Sequence, residues 1–244
     1  MMKIKLLPLL ERKFDRKFRE GARAAHEQIV KALTKIRETN RYKDFFRERS
    51  SRNAGEVFLV NLTQVFPDRK IFKNLELRFI DKDKPSTQGS GYWYNGSKNN
   101  PQYRITLNID PFKFKELFDE KFLDKRDMFI HEFIHHLDML RYSRDYVPRS
   151  GEAVYGDDLE NYYNTPEEFN AFYQQTALQI ESTLNSMKPE DKAKELESFE
   201  NFMAFVEQDH GELISFFKGK YDKKFKKRLA DLYSELEEDN KEQL

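Results

Sequence analysis

Residues 131–136 read His-Glu-Phe-Ile-His-His, and within them stands the spacing His131-Glu132-x-x-His135. On a helix of 3.6 residues per turn, positions four apart stand one above the other, so His131 and His135 can offer two imidazole nitrogens to one metal ion. Two imidazoles make half of a tetrahedral zinc site. Glu132 is turned about 100° from His131 round the same helix, where its carboxylate can reach a water at the metal without ligating the ion. That is the position of a general base, and the chemistry implied is hydrolysis by a metal-activated water.

A catalytic zinc takes three protein ligands, so a third is required. The metzincin extension needs glycine at 138 and histidine at 141, where this chain has Asp138 and Arg141, and that family is excluded. His26 and His210, the histidines outside the motif, lie in strongly polar stretches and are expected to be solvated. A carboxylate is the better candidate. The segment Asn164 to Phe172 reads as a helix start, with Asn164 or Thr165 as cap, Pro166 in the first turn, and Glu167 and Glu168 near the positive end of the dipole. These two glutamates diverge by about 100°, so only one can face a metal, although simple dipole stabilisation also accounts for a glutamate here. Asp157, Asp158 and Glu160 are weaker candidates, because loop position alone does not aim them.

Two short blocks resemble the zincins whose third ligand is glutamate, the gluzincins, and among them the catalytic domain of anthrax lethal factor. The first is His131-Glu132-Phe133-x-His135-x-x-Asp138, and the second is Glu168-Phe169-x-Ala171. The likeness covers about positions 125 to 175. It implies a zinc metallopeptidase with His131, His135 and Glu168 as ligands and Glu132 as catalytic base. It also implies a tyrosine just before the ligand helix, aimed at the scissile carbonyl; Tyr162 and Tyr163 both stand there, at a spacing one residue short of the family's. Asp138 could accept the second ring proton of an imidazole, or be a surface carboxylate. His136, four residues after Glu132, is expected to be solvated.

The elements that must position these groups are legible in outline. Measured round the motif helix, Phe129, Ile130, Phe133, Ile134, Leu137 and Leu140 fall on the arc opposite His131, Glu132, His135 and Asp138, with Asp124 as a candidate N-cap. Tyr103 to Ile109 alternates as a strand, ends at Asp110-Pro111 and precedes a helical Phe112 to Phe122 run. This strand is expected at the sheet edge, where an extended substrate could pair with it. Gln88 to Ser97 mixes turn residues with aromatics and reads as a hairpin, lining either a cleft or a core edge. Further strands are expected at Leu75 to Ile80 and about Glu56 to Val60. The fold class expected is α+β and zincin-like: a small twisted sheet with the active-site helix, plus additional helices at both ends.

With 244 residues and 38% hydrophobic content the chain can bury a core, while 35% charged residues imply much solvated helix around it. An N-terminal helical segment is expected over 1–52, a catalytic domain over 53–186 and a helical extension over 187–244. The first carries Phe14, Phe18, Ala22, Ala25 and Ile29 on a basic amphipathic helix; the last carries apolar stripes from Phe199 to Leu236. The basic run Lys218 to Arg228 says little alone, because 43 basic residues balance 43 acidic ones over the whole chain. There is no cysteine, which excludes disulfides, thiolate zinc sites and a cysteine nucleophile. No secretory leader, membrane span, phosphate loop or repeat is found, and a soluble protein is expected, cytoplasmic first, with leaderless export or incorporation into a larger particle left open. The function expected is a zinc metalloendopeptidase acting on a protein or peptide, with no nucleic-acid partner. The alternative is a non-catalytic zincin-fold scaffold within a larger assembly; Glu132 argues against it, since a purely structural site needs no base.

Overall fold

The computed structural model describes residues 6–37, 39, 57–81, 91–95, 101–109, 123–142 and 162–243. In chain order the elements are helix α1 (Leu6–Arg37), β1 (Val57–Asn61), α2 (Leu62–Val65), a 3-10 turn (Lys70–Phe72), β2 (Leu75–Asp81), β3 (Gly91–Asn95), β4 (Gln102–Ile109), α3 (Leu123–Tyr142), α4 (Pro166–Ser186), α5 (Pro189–Glu195), α6 (Phe199–Phe216) and α7 (Lys220–Gln243). The class is α+β and mostly helical, with seven α-helices and one four-stranded mixed sheet among the described residues. Two compact units are formed, one of residues 20–153 and one of residues 1–19 with 154–244.

In the first unit the strand order is β1-β2-β4-β3, with β2 and β4 parallel and the two outer pairings antiparallel. Alternation puts every second residue on one face, so Leu75, Leu77 and Phe79 of β2 lie in register with Tyr103, Ile105 and Leu107 of β4, all buried. The opposite face carries Glu76 and Arg104, directly paired in register and joined by an ion pair at 2.8 Å. Helix α3 packs on β4 and β3 and supplies buried Phe129, Ile130, Phe133 and Ile134. Buried Ala22, Ala25 and Ile29 of α1 belong to this unit, as does the contact between the rings of His26 and Phe129 at 5.6 Å.

Two expectations are corrected here. Tyr103 to Ile109 is not an edge strand: β2 pairs with one side of it and β3 with the other. Within the Gln88 to Ser97 run, expected to form a hairpin, Gly91–Asn95 is the strand that supplies that second partner, with Tyr92 opposite Ile105. The motif helix is buried on its histidine side as well as on its apolar arc. Asp127, His131, Glu132, His135, His136 and Asp138 are all buried, and Met139 is buried where Leu137 and Leu140 are only half-buried. A helix enclosed on its polar side gives no clean polar-out arc, because its charged groups face protein instead of water. Asp124, expected as the cap, lies inside the helix. The helical run expected at Phe112 to Phe122 falls outside the described residues.

In the second unit Phe169, Tyr173, Ala177, Ile180 and Leu184 follow helical spacing along α4 and meet Phe202, Phe205 and Val206 of α6 and Tyr221, Phe225, Leu229, Leu232 and Leu236 of α7 in one core. These are the C-terminal apolar stripes of the sequence, with Phe199, Met203, Leu213 and Tyr233 at their margin. The beginning of α1 joins this unit through charge. Arg19 donates to Glu181 of α4 at 2.7 Å and to Glu235 of α7, while Arg228 donates two hydrogen bonds to Asp15 at 2.8 and 2.9 Å. The guanidinium of Arg228 also lies 3.6 Å over the ring of Tyr173.

Candidate metal centre

His131 and His135 stand one turn apart on α3, each 6% exposed, with their Nε2 atoms 3.2 Å apart and their rings edge to face. Two nitrogens at about 2.05 Å from a common zinc ion and 3.2 Å from each other subtend about 103°, close to the tetrahedral angle. The imidazoles therefore fit a single small ion. Glu132, 9% exposed, sits between them in sequence and is turned round the helix from both.

Glu168 lies in the first turn of α4, half-buried. Its backbone N–H donates to the hydroxyl of the N-cap residue Thr165 at 3.4 Å, Pro166 opens the helix, and the next residue, Phe169, is anchored in the helical core. Of the two cap candidates, Thr165 is the one used. Asn164 instead ties the α6–α7 turn, donating to the Phe216 carbonyl at 2.8 Å and accepting from the Lys218 N–H at 3.1 Å. One ligand atom each from His131, His135 and Glu168 lie within 4.8 Å of one another, and the group could hold a metal ion. Two imidazoles with one carboxylate form a donor set suited to zinc or another divalent ion of the same preference. The Glu167 side chain, and Asp157, Asp158 and Glu160, lie outside the described residues.

The two tyrosines differ in their surroundings. Tyr163 is half-buried, stacked on Phe216 at 4.8 Å and tilted against Phe172 at 4.4 Å. Burial, then the charges of Glu168 and Glu212, raise its hydroxyl above the ordinary tyrosine range. Tyr162 is 36% exposed and meets Tyr163 edge-on.

His136 is not the solvated side chain that the sequence suggested. It is fully buried, and its Nε2 lies 2.8 Å from the Ile71 carbonyl oxygen, which only accepts, so this nitrogen carries the proton. Its Nδ1 then accepts from the Tyr92 hydroxyl at 3.2 Å. Burial pushes its pKa down to about 4, against the opposing effect of the Ile71 hydrogen bond, and the ring is a neutral strut between α3, β3 and the 3-10 turn. Asp138 is likewise buried and not a surface carboxylate. His210 is half-buried, with Nε2 enclosed and its pKa lowered by burial, so it too departs from the solvated expectation.

Two residues near the motif had gone unassigned. Tyr92 of β3 bonds His136, and its ring lies 6.4 Å from that of His135, nearly parallel. Strand alternation would have placed it on the core face once β3 was recognised. Asp127 is buried four residues before His131, a spacing that puts it on the histidine side of the helix. No protein family matches the chain, and no curated protein or solved structure matches it either.

Proposed function

We propose that this chain is a zinc-dependent metallopeptidase that binds the ion through His131, His135 and Glu168 and uses Glu132 as its base. The observation that carries the reading is the convergence of those three ligand atoms within 4.8 Å, two of them from the helix that also presents Glu132. A bound divalent ion supplies Lewis acidity, which makes water nucleophilic near neutral pH. Glu132 takes the proton of the attacking water and passes it to the leaving amine. Tyr162 is our choice of hydrogen-bond donor to the carbonyl oxygen as charge develops there, a contact worth a few kcal/mol in the transition state, since the Tyr163 ring is committed to Phe172 and Phe216. Asp127 and Asp138, buried on the same helix, would orient the imidazoles by accepting their second ring protons.

The substrate-pairing strand is β3 in this reading, and no longer residues 103–109. Among the described residues β3 is an outer strand of the sheet, and an extended peptide can pair along an outer strand. Tyr92 on it reaches the motif helix through His136.

Zinc content by elemental analysis, for the native chain beside His135→Ala and Glu168→Ala, tests the ligand set. Hydrolysis of an internally quenched peptide library, with Glu132→Gln as control, tests the reaction. Near-stoichiometric zinc that falls in both ligand variants, with hydrolysis abolished in Glu132→Gln, is the expected result. Zinc without hydrolysis would favour the scaffold reading, and no zinc after reconstitution would end the proposal.

A further inference from the structure

Tyr92 of β3 touches two consecutive residues of the motif helix. Its hydroxyl donates to Nδ1 of His136 at 3.2 Å, and its ring lies at 25° to that of His135, with centroids 6.4 Å apart. Rings at that distance and angle form an offset stack. His135 and His136 leave α3 about 100° apart, so Tyr92 spans the notch between them. Turning α3 about its axis in either direction stretches one of the two contacts and compresses the other.

Tyr92 is itself held on several sides. Strand pairing sets it opposite Ile105, and its diagonal neighbour Tyr103 lies nearly parallel to it at 6.5 Å. Tyr103 also meets the ring of His136 edge-on at 4.8 Å. From its other nitrogen His136 donates to the Ile71 carbonyl at 2.8 Å. The sheet and the 3-10 turn thus fix His136, and His136 fixes the hydroxyl of Tyr92.

A phenylalanine would fill the same space. What the hydroxyl adds is a bond to the residue beside a candidate ligand, and that bond acts where small movements matter. At about 6 Å from the helix axis a ring moves about 2 Å for a rotation of about 20°, whereas metal–ligand distances tolerate only about 0.2 Å. Both histidines ride on α3 while the third candidate ligand comes from α4, so a rotation of that size would open the set.

We propose that Tyr92 is a positioning residue of the metal centre, holding the His135 ring and the rotation of α3 at the setting that a divalent ion requires. The need for an ion rests on the metallopeptidase reading, whereas the setting of the His135 ring does not.

Two substitutions separate the parts: Tyr92→Phe removes the hydroxyl and keeps the ring, and Tyr92→Leu removes the ring as well. Ile29→Val, a core truncation on α1 in the same unit, is the control for a general loss of stability. Zinc affinity of the full chain is measured by competition with a chromophoric chelator, beside the visible absorption of the cobalt-loaded protein, which reports coordination geometry. Zinc binding should weaken on the order of tenfold in Tyr92→Phe and more in Tyr92→Leu, with an altered cobalt spectrum, and should stay within about twofold of native in Ile29→Val. In metal-free protein labelled at histidine, nuclear magnetic resonance should show the His135 ring signals displaced in Tyr92→Leu. Circular dichroism checks folding, and Tyr92→Phe, which keeps the packing, carries the test if Tyr92→Leu does not fold. Unchanged zinc affinity and cobalt spectrum in the Tyr92 variants, or an equal loss in Ile29→Val, would overturn the proposal and leave the metallopeptidase reading standing. A native chain that takes up no zinc, yet whose His135 signals depend on Tyr92, would sink the metallopeptidase reading and keep the role of Tyr92 in setting that ring.

Discussion

Replacing Arg19 with methionine puts the charged seam of the helical unit to a quantitative test. The guanidinium is 2% exposed and faces two carboxylates, Glu181 and Glu235, which are 15% and 14% exposed. Burial alone would lower its pKa, and the facing Glu181, with Tyr173 and Glu235, more than reverses this. Methionine keeps most of the apolar stem but leaves two partly buried carboxylates without their shared cation. Breaking a buried ion pair costs about 3–5 kcal/mol, and because both carboxylates keep some water, about 3 kcal/mol is the figure expected here. Burial holds the Glu235 carboxyl above its ordinary range even with Arg19 against it. A raised folded-state pKa contributes stability that is present at low pH and lost as pH rises through that pKa. Removing Arg19 raises it further, so the loss should be largest at neutral pH and should shrink as pH is lowered through the carboxylate range. Adding Glu181→Gln and Glu235→Gln to the methionine variant should recover at least half of the loss at neutral pH. The assay is urea unfolding followed by far-ultraviolet circular dichroism, with hydrogen exchange of α4 and α7 amides as a local readout. A loss below about 1 kcal/mol, or one independent of pH, would refute the view that Arg19 neutralises these two groups.

Other outcomes are expected from single contacts. His136→Phe should destabilise the sheet unit by about 2–3 kcal/mol, since it strands the Ile71 carbonyl and the Tyr92 hydroxyl, while Tyr92→Phe should cost about 1 kcal/mol; chemical denaturation followed by fluorescence of Trp93 on β3 reads both. Thr165→Ala removes the cap of α4 and should cost about 1 kcal/mol, measured by thermal unfolding, with a loss of zinc affinity if the first turn of that helix frays. Gly219→Ala, at φ +59° with open space around the added methyl, should cost about 1–2 kcal/mol through backbone strain alone, and urea denaturation is the check.

The sequence by itself determined the motif helix, because apolar residues at helical spacing and a fixed histidine interval are local properties. Thr165 and Pro166 marked the start of α4 for the same reason, since a cap and a first-turn proline act on the nearest backbone. Three strands were legible, that of Tyr103 to Ile109 from its alternation, each within a residue of its observed limits. What tertiary structure decided was everything that depends on which surfaces meet. It placed β4 inside the sheet, because strand order follows from pairing between distant segments and leaves no mark in a strand's own pattern. It buried His136 and Asp138, whose polarity suggested water: a polar side chain is enclosed when a distant partner, such as the Ile71 carbonyl or the Tyr92 hydroxyl, satisfies it, and no local spacing reveals that partner. It likewise joined α1 to α4 and α7 through Arg19 and Asp15, since long-range charge pairing depends on folded distance and not on periodicity.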